Sequence, residues 1–93
     1  MTYEEEIEAL RKTNDRLNEE IVEKLAEWVE VSVRVGAIKR RHGRSNVDRG
    51  LEEEVHEQIR RLARESSLDA EGVERVFREI VRLYTDAKRE VHP

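Results

Sequence analysis

Between Ile7 and Ile38 apolar side chains recur at alternating spacings of three and four. They are Ile7, Leu10, Leu17, Ile21, Trp28, Val31, Val35 and Ile38, with Asn14, Lys24 and His42 completing the same frame. That spacing tracks one face of an α-helix. A second line, Val22, Leu25, Val29, Val33 and Gly36, widens the stripe beyond a simple two-helix seam. No proline interrupts it, and no glycine does before Gly36. The valines of "VEVSVRV" also alternate as a strand would, but they fit the helical stripe. The pattern predicts a first helix from about Tyr3 to His42, with Gly43 taking the left-handed stop. At 1.5 Å per residue it is roughly 60 Å long, several times the mean for globular proteins. Two shorter helices of one chain cannot cover it. A second copy is the natural cover.

The rest of the chain supplies those shorter helices. "GRSNVDRG" reads as a loop in which Asp48 or Ser45 caps a second helix, about 49–65, with Leu51, Val55, Ile59 and Leu62 on one face. "ESSLDAEG" is the next break, with Asp69 as N-cap of a third helix, about 70–91. That helix carries Val73, Val76, Phe77, Ile80, Tyr84, Ala87 and Val91. The expected fold is all-α: a single domain over 1–93, three helices with one very long first helix, joined as an intertwined homodimer. Composition agrees. Of 93 residues 43% are charged and 37% apolar, too lean for a large core in a lone chain.

Several function classes recede on the same grounds. With no cysteine there is no disulfide or thiolate metal site. His42, His56 and His92 fall on three elements without ligand spacing, so no metal is expected. The net charge of -4 and the shortness of "KRRHGR", which lacks interleaved aromatics, speak against nucleic acid. No apolar run approaches the roughly 18 residues that span a bilayer. The acidic start "MTYEEEIEAL" is unlike a signal or transit peptide. A cytoplasmic protein with no membrane partner is expected.

The order of short motifs, "ALRKTNDRLN", "LAEW", "VGAIK", "VD", "LEEEV" and "SSLDAEGVERVFREIV", covers nearly the whole chain and resembles the all-helical (AroQ-class) chorismate mutases. The resemblance implies an intertwined dimer with two pockets, each drawing residues from both chains. It implies a chorismate mutase-type isomerase of the shikimate pathway, turning the dicarboxylate chorismate into prephenate for aromatic amino-acid biosynthesis. The reaction is a concerted rearrangement that needs no nucleophile, metal or cofactor. The catalyst holds a flexible dianion in its compact conformer and stabilises the negative charge that grows on the ether oxygen.

Carried over residue by residue, the resemblance makes Arg11 the cation that reaches into the partner's pocket for a carboxylate. It makes Lys39 a cation for a carboxylate and the ether oxygen, and Asp48 and Glu52 the carboxylates at the ring hydroxyl. Read without the family, Arg11 is an exposed helix arginine, Lys39 a cation at a negative helix end, Asp48 a cap and Glu52 a first-turn acid. Five positions depart from the family pattern. Trp28 and Leu51 stand where arginines are usual. Tyr84 replaces a small polar residue, and Lys88 a glutamine or glutamate that donates to the ether oxygen. Asn14 replaces an aliphatic residue, and on its own reads as a buried polar group fixing helix register. Two arginines fewer implies weak activity, which Lys88 partly offsets; Arg49 and Lys24 are candidate replacements. Trp28 reads equally as an aromatic filling the dimer seam. Two further readings stand beside the first. One is a relative acting on another chorismate-type substrate, as isochorismate-pyruvate lyases and aminodeoxychorismate mutases do. The other is an inactive helical dimer serving as a binding module. The resemblance also admits activation by a larger partner enzyme.

Overall fold

The computed structural model describes residues 1–45 and 49–91, the side chains of Glu90 and Val91 excepted. Three helices follow one another: α1 (Tyr3–Arg41), α2 (Arg49–Glu65) and α3 (Ala70–Val91). The expectation of an all-α chain with an overlong first helix holds, and "VEVSVRV" is helical throughout.

The ends of the helices follow from local chemistry. Thr2 caps α1: its hydroxyl accepts from the Glu5 amide at 3.2 Å and donates to the Glu5 carboxylate at 3.0 Å. Glu4, Glu5 and Glu6 face the positive end of the helix dipole, and Lys39, Arg40 and Arg41 the negative end. Gly43, at φ +65°, ends α1. The Gly43 and Arg44 amides donate back to the Arg40 and Lys39 carbonyls at 3.0 and 2.7 Å, the paired bonds of a left-handed helix stop. The end of α2 uses the same motif with a serine in the glycine position. Ser67 has φ 59°, and Ser67 and Leu68 donate to Arg64 and Ala63. Asp69 caps α3 by accepting from Gly72 N at 3.0 Å. The residue foreseen as the first choice to cap α2, Asp48, lies outside the described residues.

Packing is in a row. α3 lies between the other two helices and packs on both, while α1 and α2 do not pack on each other. The side of α1 turned to α3 carries Leu25, Val29, Ser32 and Gly36; Ser32 and Gly36 are buried, and their small size lets the two helices approach. This is largely the second apolar line of the sequence. The strict stripe lies beside it, and Leu10, Leu17, Ile21, Val31, Val35 and Ile38 are all exposed. On α2 the buried face is Val55, His56, Ile59 and Ala63. Leu51 and Leu62, expected on that face, are instead nearly half exposed.

A single chain therefore has very little core. Among the described residues the buried apolar side chains are Ile59 and Ala63, and no large side chain is fully enclosed. The molecule measures 62 × 27 × 15 Å with a radius of gyration of 17.4 Å, against about 12 Å for a compact chain of this length. Its accessible surface is 7903 Å², where a folded monomer of this mass exposes about 5,600 Å². Among the described residues no helix is long and apolar enough to cross a membrane.

Candidate active site

The site begins with Trp28, at the edge of the α1 face that meets α3. Its indole stands edge-on to Phe77, with ring centroids 5.3 Å apart and planes at 88°. It also lies 6.4 Å from the Tyr84 ring, tilted by 50°. Edge-to-face rings of this kind contribute about 0.5–1.5 kcal/mol beyond the area they bury. Trp28 is thus tied into its own chain. With Leu17, Ile21, Lys24, Leu25 and Ile80, Trp28 also lines an open apolar groove.

From Trp28 the same face of α1 continues through Ser32 and Gly36 to Lys39. On α3 the facing stripe runs from Phe77 through Tyr84 to Lys88, one turn further on. The two stripes run in the same direction, and Lys39 and Lys88 arrive together at one end of the molecule. Both are partly buried. Burial, and then the Lys39 ammonium, hold Lys88 below the usual lysine range. Neither ammonium makes an ion pair with a carboxylate among the described residues.

α2 supplies the acid. Glu52, in its first turn, lies near enough to Tyr84 to act on it. Burial raises the phenol's pKa, and the Glu52 charge adds to the rise. The structure so gathers Trp28, Lys39, Glu52, Tyr84 and Lys88, foreseen from sequence, and adds Phe77, which the sequence offered only as a core position. Leu51 stands beside Glu52 at the start of α2, half exposed.

Other expected members stand apart. Arg11 is exposed on the uncovered half of α1, 28 residues before Lys39 and so about 42 Å from it along the helix. Asn14 is exposed on the same half. Lys24, one candidate replacement cation, binds Glu27 at 3.2 Å on the surface, and Arg49, the other, is exposed at the start of α2. Asp48 lies outside the described residues.

One cluster escaped the sequence reading. Glu74 of α3 is buried, and one carboxylate oxygen accepts from Arg60 Nε and Nη2 of α2 at 2.9 and 2.8 Å. The other faces Arg78 at 3.4 Å and His56 Nδ1 at 3.9 Å. The hydrogen bond from Arg60 is the main reason the Glu74 carboxyl is held below its ordinary value, against the opposing effect of burial. Only the i, i+4 pairing of Glu74 with Arg78 was visible in the sequence. The cluster belongs to the α2–α3 joint, near the opposite end of α3 from Lys88.

Lys39 and Lys88 are thus partly buried cations on helices joined by the aromatic cluster, and the Glu52 charge acts on that cluster at Tyr84. The family model for chorismate mutase type II matches residues 10–89 of the chain. The protein belongs to the chorismate mutase type II family. The match takes in all of α2 and most of α1 and α3. No individual curated protein matches the chain.

Proposed function

We propose that this member of the family is itself a chorismate mutase, rearranging chorismate to prephenate in cytoplasmic aromatic amino-acid biosynthesis, and that it works as a homodimer. The observation that carries the reading is the meeting of Lys39, Lys88, Glu52 and Tyr84 at one end of a chain of this family. The reaction moves electrons within one molecule. The ether C–O bond breaks as a C–C bond forms, and no group is exchanged with the protein. What the site must contribute is conformer selection and cationic charge at the ether oxygen. Lys39 serves a carboxylate and the ether oxygen, and Lys88 adds a cation at that oxygen. Glu52, with Asp48, takes the ring hydroxyl. Trp28 and Tyr84 form the wall against which the ring lies, with Leu51 at its border.

The second carboxylate calls for a second chain. Arg11 is too far along α1 to reach its own Lys39. A second α1 laid antiparallel along the exposed stripe brings its Arg11 towards that end. The acidic first turn of one α1 and the basic last turn of the other favour this direction. The surface exposed beyond that of a compact monomer, about 2,300 Å² per chain, is of the size obligate dimers bury.

The test is to mix purified protein with chorismate and follow the loss of its ultraviolet absorbance. Loss faster than the uncatalysed rearrangement, with prephenate as product, supports the reading. No acceleration at high protein concentration rejects it.

A further inference from the structure

The face that α2 turns to α3 is not its most apolar one. Leu51, Val55, Ile59 and Leu62 form one apolar line, yet Leu51 and Leu62 are nearly half exposed. His56 and Ala63 are turned in beside Ile59 instead. At 3.6 residues per turn, the helix is rotated by roughly 60° from the setting that would centre the leucines. The His56 Nδ1 so enclosed has no hydrogen-bond partner among the described residues. Apolar burial and hydrogen bonding both oppose this rotation, so a third interaction holds it. Among the described residues the arginine–carboxylate pair that joins α2 to α3 is Arg60 with Glu74. Arg60 Nε and Nη2 meet one carboxylate oxygen at 2.9 and 2.8 Å. Arg78 of α3 and His56 Nδ1 face the other at 3.4 and 3.9 Å. Glu74 is buried, and a buried charge is costly to leave without its partner. Turning Leu51 and Leu62 inwards would carry Arg60 away from it.

We propose that Glu74 is a positioning residue: by holding Arg60 it sets the rotation of α2, which keeps Leu51 and Leu62 turned outwards and aims the helix face that carries Glu52 at α3. Glu52, His56 and Arg60 follow one another at intervals of four and share that face. Glu74 touches no substrate; it acts through Arg60, two turns beyond Glu52. This deepens the function proposed above, in which Glu52 takes the ring hydroxyl, and rests on that reading for its effect on turnover.

The chain has no cysteine, so a single introduced thiol reports the rotation. Leu62→Cys and Ala63→Cys are each made in the full-length parent, in Glu74→Leu and in Arg60→Leu, and their rates with a soluble disulfide reagent are compared. In the parent the thiol at position 62 should react about tenfold faster than the thiol at 63, as exposure requires. In both backgrounds the rate at 62 should fall and the rate at 63 should rise, each by about threefold. Loosening of the fold alone would raise both. Circular dichroism confirms that each variant is folded. Chorismate kcat/KM should fall about tenfold in Glu74→Leu, and Glu52→Gln should cost at most about twofold more in that background, since the two changes remove one effect. Rates that both rise, rates that stay as in the parent, or a thiol at 62 no faster than at 63 in the parent would overturn the proposal, as would turnover losses that multiply. The thiol rates do not depend on catalysis, so the two claims separate. Crossing rates in a protein without turnover keep the setting of α2 by Glu74 and reject the mutase. Turnover with rates that do not cross does the reverse.

Discussion

Single residues carry the sharpest tests of the proposed chemistry, and Trp28 stands where the family resemblance implies a cation. Its ring packs against Phe77 and Tyr84, and in the proposed function the same ring forms part of the pocket wall. Trp28→Arg combined with Leu51→Arg should raise chorismate turnover at least tenfold, because each adds a permanent cation at the pocket. The same variant should melt lower than the parent, since the ring contacts are gone. An unchanged or lower rate would show that the pocket has been placed wrongly. Ser67 is the other residue with a local cost. It holds a left-handed conformation, φ 59°, in a position where glycine is at ease. Ser67→Gly should stabilise the fold by about 1 kcal/mol, seen as a higher melting temperature with turnover unaffected.

Between elements, the joint of α2 with α3 holds a carboxyl whose ionisation is tied to the fold. The Glu74 carboxyl is held below its ordinary value of 4.5, chiefly by the hydrogen bond from Arg60. A carboxyl so held favours the fold while it is ionised. The contribution is complete above the ordinary value and fades as pH falls through the lowered one. Melting temperature should therefore drop as pH falls below about 4.5. Glu74→Gln should melt lower at pH 7 and lose less on acidification. An equal acid slope in both proteins would place the sensitivity elsewhere.

Elements are also where the limits of the sequence are plainest. Spacing alone located the three helices, because the apolar period of each is long and capped. It also pointed to the family, whose model matches residues 10–89, because the family motifs keep their order. It did not divide the faces of α1. Two adjoining apolar lines look alike as letters, and only packing shows that Leu25, Val29, Ser32 and Gly36 serve α3 while Leu17, Ile21, Val31 and Val35 stay open. It put Leu51 and Leu62 on the inner face of α2 because leucine is apolar, whereas the inner face turns on Ile59 and Ala63, with His56 beside them. Glu74 was invisible for a related reason. A buried carboxylate among arginines from two helices has no mark in a chain already rich in charge.

At the scale of the whole molecule, a 62 Å body with so little enclosed apolar surface should not persist alone. Sedimentation should give twice the 11.0 kDa of the chain, and the melting temperature should rise with protein concentration, as linked folding and association require. Val31→Asp, on the open stripe and away from the ring cluster, should lower the mass towards that of one chain and lower turnover with it. A parent protein that sediments as a monomer at micromolar concentration would contradict the assembly.

The row-like packing has a consequence for how the protein comes into being. Among the described residues α1 and α2 each pack on α3 and not on each other, and α3 follows both of them in the chain. While the ribosome is still extending the second helix, the first has finished and has no partner in its own chain. In the proposed dimer, the open stripe of another first helix is already there to meet it. For the proposed dimer, the order of synthesis would let two first helices pair before either chain has closed around its own third helix.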